Sequence, residues 1–150
     1  MKAVIQRVNS AYVDIDGARN ASIGKGLLIL FGVEKGDERK SCADMAYKAA
    51  NLRIFEDDNG KMGRSVKDIG GEIIVVSQFT IAGNCRKGLR PDFTNAMQPD
   101  VADDYYEYFT ECCRNELGAD RIQTGKFAAD MKVGLENDGP VTIILEITPK

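Results

Sequence analysis

A continuous apolar run from Leu27 to Val33 constrains the fold more than any other feature of the sequence. It follows the turn signal Gly24-Lys25-Gly26 and contains no charged residue. A strand that is apolar at every position has both of its faces covered, whereas a half-exposed strand alternates. The run therefore predicts a central strand in a sheet that carries packed layers on both faces.

Turn signals divide other apolar segments into shorter strands. Lys2 to Val13 and Ala18 to Ile23 flank the turn residues Asp16-Gly17, which predicts an opening hairpin. The same reasoning predicts strands at Arg53–Phe55, Glu72–Phe79, Met131–Glu136 and Val141–Ile147. The last two are expected to be joined by a turn at Asn137-Asp138-Gly139-Pro140.

Two segments have helical spacing of apolar residues. Asp37 is expected to cap a helix that runs to Asn51, and Pro99 opens a second helix that Gly118 closes. The strands cluster in hairpins and do not alternate regularly with helices. The pattern therefore favours the α+β class, with residues 1–150 as a single domain containing two substantial helices.

Composition excludes several kinds of active site. The chain contains no histidine, which rules out a Ser-His-Asp triad, a Cys-His pair and imidazole-bound zinc. Its four cysteines lack a C-x-x-C pair and a secretory context, so we interpret them as reduced thiols. No metal or cofactor is expected. No apolar run approaches the roughly 20 residues of a membrane span, and the expected location is the cytoplasm.

The charge is unevenly distributed. The net charge of -3 gives no overall basic character, and many acidic residues lie between Asp100 and Glu116. Basic residues cluster elsewhere, where they form either solvated surface or contacts to phosphates. These residues are Lys61, Arg64, Lys67, Arg86, Lys87, Arg90, Arg121 and Lys126.

Two polar segments are candidates for chemistry. Ser77-Gln78-Phe79-Thr80 places hydroxyls and an amide at the end of a buried strand, where they either cap the strand or serve a site. Asn137-Asp138-Gly139-Pro140 has the composition of a turn. It is also a candidate recognition device, because a cis Gly-Pro bond aims two consecutive carbonyls to one side of the chain.

Taken together, these segments resemble the paired signature of the D-aminoacyl-tRNA deacylases, a family of small homodimeric enzymes. Ser77-Gln78-Phe79-Thr80 matches one half of the signature, and Asn137-x-Gly139-Pro140-Val141-Thr142 matches the other. The resemblance extends over essentially the whole chain. It includes Ile5-Gln6-Arg7-Val8, Gly32-Val33, Arg53-Ile54-Phe55, Gly60-Lys61-Met62, Arg90-Pro91 and Thr124-Gly125-x-Phe127-Ala128-Ala129-Asp130-Met131.

The resemblance implies a mostly antiparallel, barrel-like core and a function in chiral proofreading during translation. The substrate would be the ester between a D-amino acid, or glycine mischarged on tRNA-Ala, and the terminal adenosine of a tRNA. In the family, the pair matching Gly139-Pro140 is cis and enters the active site of the partner subunit. Its carbonyls leave no room for an L side chain, so chirality is selected by exclusion.

The resemblance also suggests roles for individual residues. Thr80 matches a hydroxyl considered as a nucleophile, but without histidine nothing obvious activates it. We favour a mechanism assisted by the ribose hydroxyl of the tRNA, with N–H groups near Phe79 and Thr80 stabilising the oxyanion. The catalytic candidates are Thr80, Ser77, Gln78 and Phe79. The substrate-binding candidates are Gly139, Pro140, Asn137, Arg7, Phe127, Ala128 and Met131.

Alternatives remain for both the residues and the function. Arg7 is a brace for the Gly-Pro loop or a surface cation, and Phe127, Ala128 and Met131 line an adenosine pocket or belong to the core. Asp92 departs from the family pattern, which commonly has a small hydroxyl residue there. The competing functions are a non-enzymatic nucleic-acid-binding module on the same fold and a hydroxyl esterase activated by Lys87.

Overall fold

The computed structural model describes residues 1–149, which form eight β-strands, two α-helices and two short 3-10 helices. The α-helices are α1 (Ser41–Asn51) and α2 (Pro99–Leu117). The 3-10 helices span Phe79–Ala82 and Ala119–Arg121. The strands are β1 (Lys2–Ile15), β2 (Ala18–Ile23), β3 (Gly26–Gly32), β4 (Phe55–Glu56), β5 (Met62–Arg64), β6 (Glu72–Ser77), β7 (Ile122–Thr124) and β8 (Met131–Glu146).

The main sheet is mixed and nearly closes into a barrel. Its order is β2-β1-β3-β6-β7, with β8 on the other edge of β1. The pairs that β1 makes are antiparallel, whereas β6 pairs with β3 and β7 in parallel. The side-chain amide of Asn20 on β2 donates to the Thr124 carbonyl on β7 (3.0 Å) and so links the two ends of the order.

Strand β3 is central and covered on both faces, which confirms the interpretation of the apolar run. Leu27, Ile29 and Phe31 join the core cluster that includes both α-helices. Leu28 belongs to the second core cluster, together with Ile74 and residues of β1 and β2. The Phe31 ring stacks on Phe109 of α2 at 4.3 Å between centroids.

The start of β3 requires a residue without a side chain. A Cβ atom on Gly26 would lie only 1.8 Å from the backbone carbonyl oxygen of Glu72 on β6. At Gly24, two residues earlier, a Cβ would meet only a side-chain oxygen of Glu72, at an ordinary 3.6 Å. Glycine at position 26 is therefore a packing requirement.

The opening hairpin and both α-helices are confirmed, but the expected role of Asp37 is wrong. Helix α1 begins at Ser41, and its N-cap residue Lys40 makes no side-chain capping bond. The Asp37 carboxylate instead accepts hydrogen bonds from the N-terminal ammonium of Met1 and from the Glu34 N–H. An ammonium is a stronger partner for a buried carboxylate than a helix N–H.

The prediction of two strands joined by a turn near the C-terminus is also wrong. Residues 131–146 form one strand, and both halves pair with the same edge of β1. Val8 pairs with Asn137 and Gln6 with Thr142, so four residues of β8 bulge out opposite Arg7. Turn-forming residues here produce a bulge in a long strand, as they often do at functional sites.

Smaller differences concern short strands. The expected strand at 53–55 is β4 at Phe55–Glu56, paired with the unpredicted strand β5. Strand β6 stops at Ser77, two residues before the predicted end at Phe79, and a 3-10 helix begins at Phe79. Of the two α-helices among residues 1–149, neither has the combined length and apolar character needed to cross a bilayer.

Candidate active site

A pocket of about 730 Å³ opens where strands β3 and β6 end. Its walls come from four parts of the chain: the ends of these strands, the 3-10 helix that follows β6, the segment before α2, and the segment that leads into β8. The lining is mainly apolar, with a few polar groups such as Ser77, Gln78 and Gln98. Such a lining suits a base or aromatic group held in place by a few hydrogen bonds.

The segment Ser77–Thr80 forms one wall of the pocket. The Gln78 N–H donates to the Phe31 carbonyl (2.8 Å), which extends the pairing of β6 with β3 by one residue. The side-chain amide of Gln78 donates to the hydroxyl of Thr80. Ser77, Gln78 and Phe79 line the pocket, whereas Thr80 is exposed and lies beside the lining.

Two backbone donors lie outside the regular hydrogen bonding here. Within residues 1–149, the N–H groups of Phe79 and Thr80 have no hydrogen-bond acceptor. They are the first donors of the 3-10 helix, which lack partners inside the helix. These two groups are therefore available to a bound anion or a polarised carbonyl.

Phe127, Ala128 and Met131 form a second wall of the pocket that Ser77, Gln78 and Phe79 also line. The segment that leads into this wall is attached to strand β6, because the Gly125 N–H donates to the Val75 carbonyl (3.0 Å). Ala128 has a positive φ of 62°, which is uncommon for a residue with a Cβ.

The buried phenol of Tyr106 supports this wall. Its hydroxyl donates to the Val75 carbonyl (3.0 Å), and the Gly125 carbonyl lies 3.4 Å away. Burial raises the pKa of Tyr106 to about 12. The phenol therefore stays protonated and serves as a hydrogen-bond donor at ordinary pH.

Sequence reasoning missed the third wall, which includes Phe93 and Met97. The ring of Phe93 meets Phe79 edge to face at 5.3 Å. Phe93 and Met97 lie between the strand expected to end at Phe79 and the helix expected to begin at Pro99, where the sequence predicts neither a helix nor a strand. An aromatic residue inside a polar loop was the one available signal.

The second half of the signature lies elsewhere in the same chain. Gly139 and Pro140 are exposed in the bulge of β8. The pocket lining includes none of Gly139, Pro140, Arg7 and Asn137. The Gly139-Pro140 peptide bond is cis. One chain therefore presents the bulge and the pocket as two separate surfaces.

Arg7 holds this bulge and is not a surface cation, since only 7% of it is exposed. Its Nε donates to the Asp138 carbonyl (2.8 Å), and Nη1 donates to the Ile54 carbonyl (2.7 Å). The Asp138 carboxylate lies 3.8 Å from Nε. The guanidinium thus ties the bulge to the segment that precedes β4.

Asn137 closes the base of the bulge. Its side-chain oxygen accepts from the Val141 N–H (2.7 Å), and its amide nitrogen donates to the Val141 carbonyl (3.1 Å). The side-chain amide of Asn137 thus takes the place of backbone hydrogen bonds that the bulge interrupts. A Cβ on Gly139, where φ is +141°, would lie 2.8 Å from the Val141 side chain and 3.1 Å from Arg7 Nη2.

The remaining candidates lie outside the pocket lining. The carboxylate of Asp92 accepts a hydrogen bond from the Thr94 N–H (2.9 Å). Hydrogen bonds from Thr94 and the charge of Lys35 hold the pKa of Asp92 below the usual value.

All four cysteines are free thiols. Burial raises the pKa of Cys42 to about 12 and raises the pKa of Cys112 and Cys113. Among residues 1–149 there is no acidic or cysteine cluster suited to a metal ion.

Known proteins resemble this chain along its full length. A D-aminoacyl-tRNA deacylase of Geotalea daltonii is 57% identical over 150 residues, covering 100% of this chain and 98% of the relative. One from Geobacter sulfurreducens is 55% identical over 146 residues, covering 97% of this chain and 95% of the relative.

Solved structures share the fold. The c-Myc DNA Unwinding Element Binding Protein superposes with a TM-score of 0.94 at 44% identity, covering 99% of both chains. A structure described as a probable eukaryotic D-amino acid tRNA deacylase has a TM-score of 0.82 at 17% identity, covering 97% of this chain and 98% of its own. A model of the family D-Tyr-tRNA(Tyr) deacylase matches residues 4–146. The chain therefore belongs to the D-Tyr-tRNA(Tyr) deacylase family of hydrolases.

Proposed function

We propose that this protein hydrolyses the ester bond of D-aminoacyl-tRNAs and releases the free D-amino acid and the tRNA. The observation that carries the proposal is the pocket with apolar walls beside the free N–H groups of Phe79 and Thr80. Phe79, Phe127 and Met131 form a slot suited to the terminal adenosine. The ester carbonyl of the adenosine would then lie at the free N–H groups.

A second copy of the chain completes the site in this proposal. Strand β8 pairs only with β1 among the described residues, so its other edge is open along the strand. It carries exposed apolar side chains, namely Val133, Leu135 and Ile144. An open, apolar edge strand favours association. The homodimer would place Gly139 and Pro140 of one copy over the pocket of the other.

The bulge then acts as the chiral filter. Backbone atoms of Gly139 and Pro140 would occupy the space that an L side chain needs, while a D side chain points away. Selection by steric exclusion does not depend on what the D side chain is. The same filter admits glycine, including glycyl-tRNA-Ala, and rejects L-alanine.

The residues present favour catalysis by the substrate's own ribose hydroxyl. Without histidine, and with the Gln78 amide as the hydrogen-bond partner of its hydroxyl, Thr80 has no general base for nucleophilic attack. An aminoacyl ester is already reactive, so orientation and two oxyanion donors supply the main acceleration. Gln78 would act as a positioning residue, because its amide donates to the Thr80 hydroxyl and orients it. Lys87 lies outside the pocket lining, which disfavours the esterase alternative.

Deacylation of D-tyrosyl-tRNA and L-tyrosyl-tRNA tests the proposed reaction. We expect release of tyrosine from the D ester only, and failure to release it from the D ester refutes the proposal. A tRNA that ends in 2′-deoxyadenosine tests the mechanism, because its normal cleavage would refute assistance by the ribose hydroxyl. Thr80→Ala is expected to retain most of the activity.

The second candidate is a nucleic-acid-binding module without catalysis. It is favoured by the similarity to a protein named for binding a DNA unwinding element. This candidate predicts tight binding of tRNA or DNA with no increase in the rate of ester hydrolysis. The same deacylation assay therefore distinguishes the two functions.

A further inference from the structure

A second surface beside the pocket has the properties of a nucleic-acid contact. The segment Asn84–Asp92, here called the basic loop, is closed at its base by two backbone hydrogen bonds. The Asn84 N–H donates to the Asp92 carbonyl (2.8 Å), and the Asp92 N–H donates to the Asn84 carbonyl (2.9 Å). The Asn84 side chain also accepts from the Arg86 N–H (3.0 Å). The loop therefore has a defined shape at its base.

Both ends of the basic loop are fixed at the rim of the pocket. Phe93 follows the loop directly and packs edge to face on Phe79, and both rings line the pocket. Gly83 precedes the loop, and a Cβ at this position would lie 2.9 Å from the Phe93 ring. The base of the loop therefore lies beside the pocket.

The tip of the basic loop carries three cations with no anionic partner. Arg86, Lys87 and Arg90 are exposed, and none of their side chains forms an ion pair or hydrogen bond with residues 1–149. Other exposed arginines, such as Arg19 and Arg39, are paired with carboxylates. No acidic residue occurs from Cys85 to Pro91, in a chain whose net charge is -3. The loop is thus a local positive surface on an acidic protein.

We propose that the basic loop binds backbone phosphates of the single-stranded 3′ end of tRNA, next to the terminal nucleotide held in the pocket. This inference rests on the proposed function, which places the terminal adenosine in the pocket. The preceding nucleotides must then leave through its mouth, past the loop. Guanidinium and ammonium groups bind phosphates through charge and hydrogen bonds, without reading the base sequence.

The test compares two triple variants with the same change in net charge. R86A/K87A/R90A removes the loop cations, and K25A/K40A/K48A removes three exposed lysines outside the pocket lining. For each variant, Kd for uncharged tRNA is measured by fluorescence anisotropy at several salt concentrations. Hydrolysis is measured with D-tyrosyl-tRNA and with adenosine esterified by D-tyrosine.

We expect the loop variant to bind tRNA about tenfold more weakly and to lose a similar factor in kcat/KM on D-tyrosyl-tRNA. The slope of log K against log salt should fall by about 2, since each phosphate contact on a single strand contributes roughly 0.7. Hydrolysis of the adenosine ester should match that of the unmodified protein. The lysine control should resemble the unmodified protein in all three measurements.

Unchanged tRNA affinity in the loop variant would overturn the inference, as would an equal loss in the lysine control. An equal loss on the adenosine ester would show that the loop shapes the pocket and does not bind the RNA chain. If the unmodified protein cleaves neither ester, the proposed function fails. The anisotropy comparison would still decide whether the loop binds RNA.

Discussion

The replacement of Arg7 by lysine separates charge from geometry at the proposed chiral filter. The guanidinium donates from two different nitrogens to the Asp138 and Ile54 carbonyls, at 2.8 and 2.7 Å. A lysine ammonium keeps the charge but has a single nitrogen on a flexible stem, so it does not reproduce the planar fork. We expect the variant to keep one of the two hydrogen bonds.

The structure gives the size of the effect. A hydrogen bond to a charged group contributes about 1.5–3 kcal/mol, so the tie between the bulge and Ile54 weakens by roughly 2 kcal/mol. A difference of 1.4 kcal/mol is about a factor of ten in an equilibrium constant. If the bulge excludes L side chains, its looser position should reduce the preference for D over L by about tenfold or more.

The assay is single-turnover deacylation of D-tyrosyl-tRNA and L-tyrosyl-tRNA, with thermal unfolding to establish that the variant is folded. Arg19→Lys is the matched control, because Arg19 pairs with Asp14 at the surface, where such pairs contribute little. A folded Arg7→Lys variant with an unchanged ratio of D to L rates would refute the reasoning. Arg7 would then only stabilise the fold.

Three further predictions concern the fold. Gly26→Ala should destabilise the protein by about 3 kcal/mol or more in urea unfolding, because its Cβ would overlap the Glu72 backbone, whereas Gly24→Ala should be tolerated. The folded-state pKa of Tyr106, about 12, exceeds its ordinary value of 10. The contribution of Tyr106 to the free energy of unfolding should therefore be intact below pH 10 and lost as the pH rises towards 12. A Tyr106→Phe variant should lose less stability over that range, and an equal loss would contradict this. The thiol reagent DTNB should label Cys85 alone in the folded protein and all four cysteines after unfolding.

Much of the fold follows from local patterns in the sequence. The run Leu27–Val33 could be assigned to a central strand because apolar residues on both faces exclude an exposed position. The bulge at 138–141 could not be found this way, because hairpin turns and strand bulges use the same residue types. What distinguishes them is the register of β8 against β1, and the side chain that bonds the bulge, Arg7, is distant in the sequence.

The site was predictable only in part. The two signature segments stood out by their residues and by their resemblance to a family, and only that resemblance implied that the Gly-Pro pair lies away from the pocket of its own chain. Phe93 and Met97 were missed because a pocket wall is assembled by tertiary contacts such as the packing of Phe93 on Phe79. The capping role expected for Asp37 failed because the partner that it binds, Met1, lies far from it in the sequence.

The most direct test of the proposed selection is the affinity of two stable substrate analogues. In 3′-amino-3′-deoxyadenosine acylated with D-tyrosine or L-tyrosine, an amide replaces the ester, so isothermal titration calorimetry measures binding without hydrolysis. We expect the D analogue to bind at least about 100-fold more tightly than the L analogue, a difference of about 2.7 kcal/mol. Equal affinities for the two analogues would contradict selection by exclusion at the pocket.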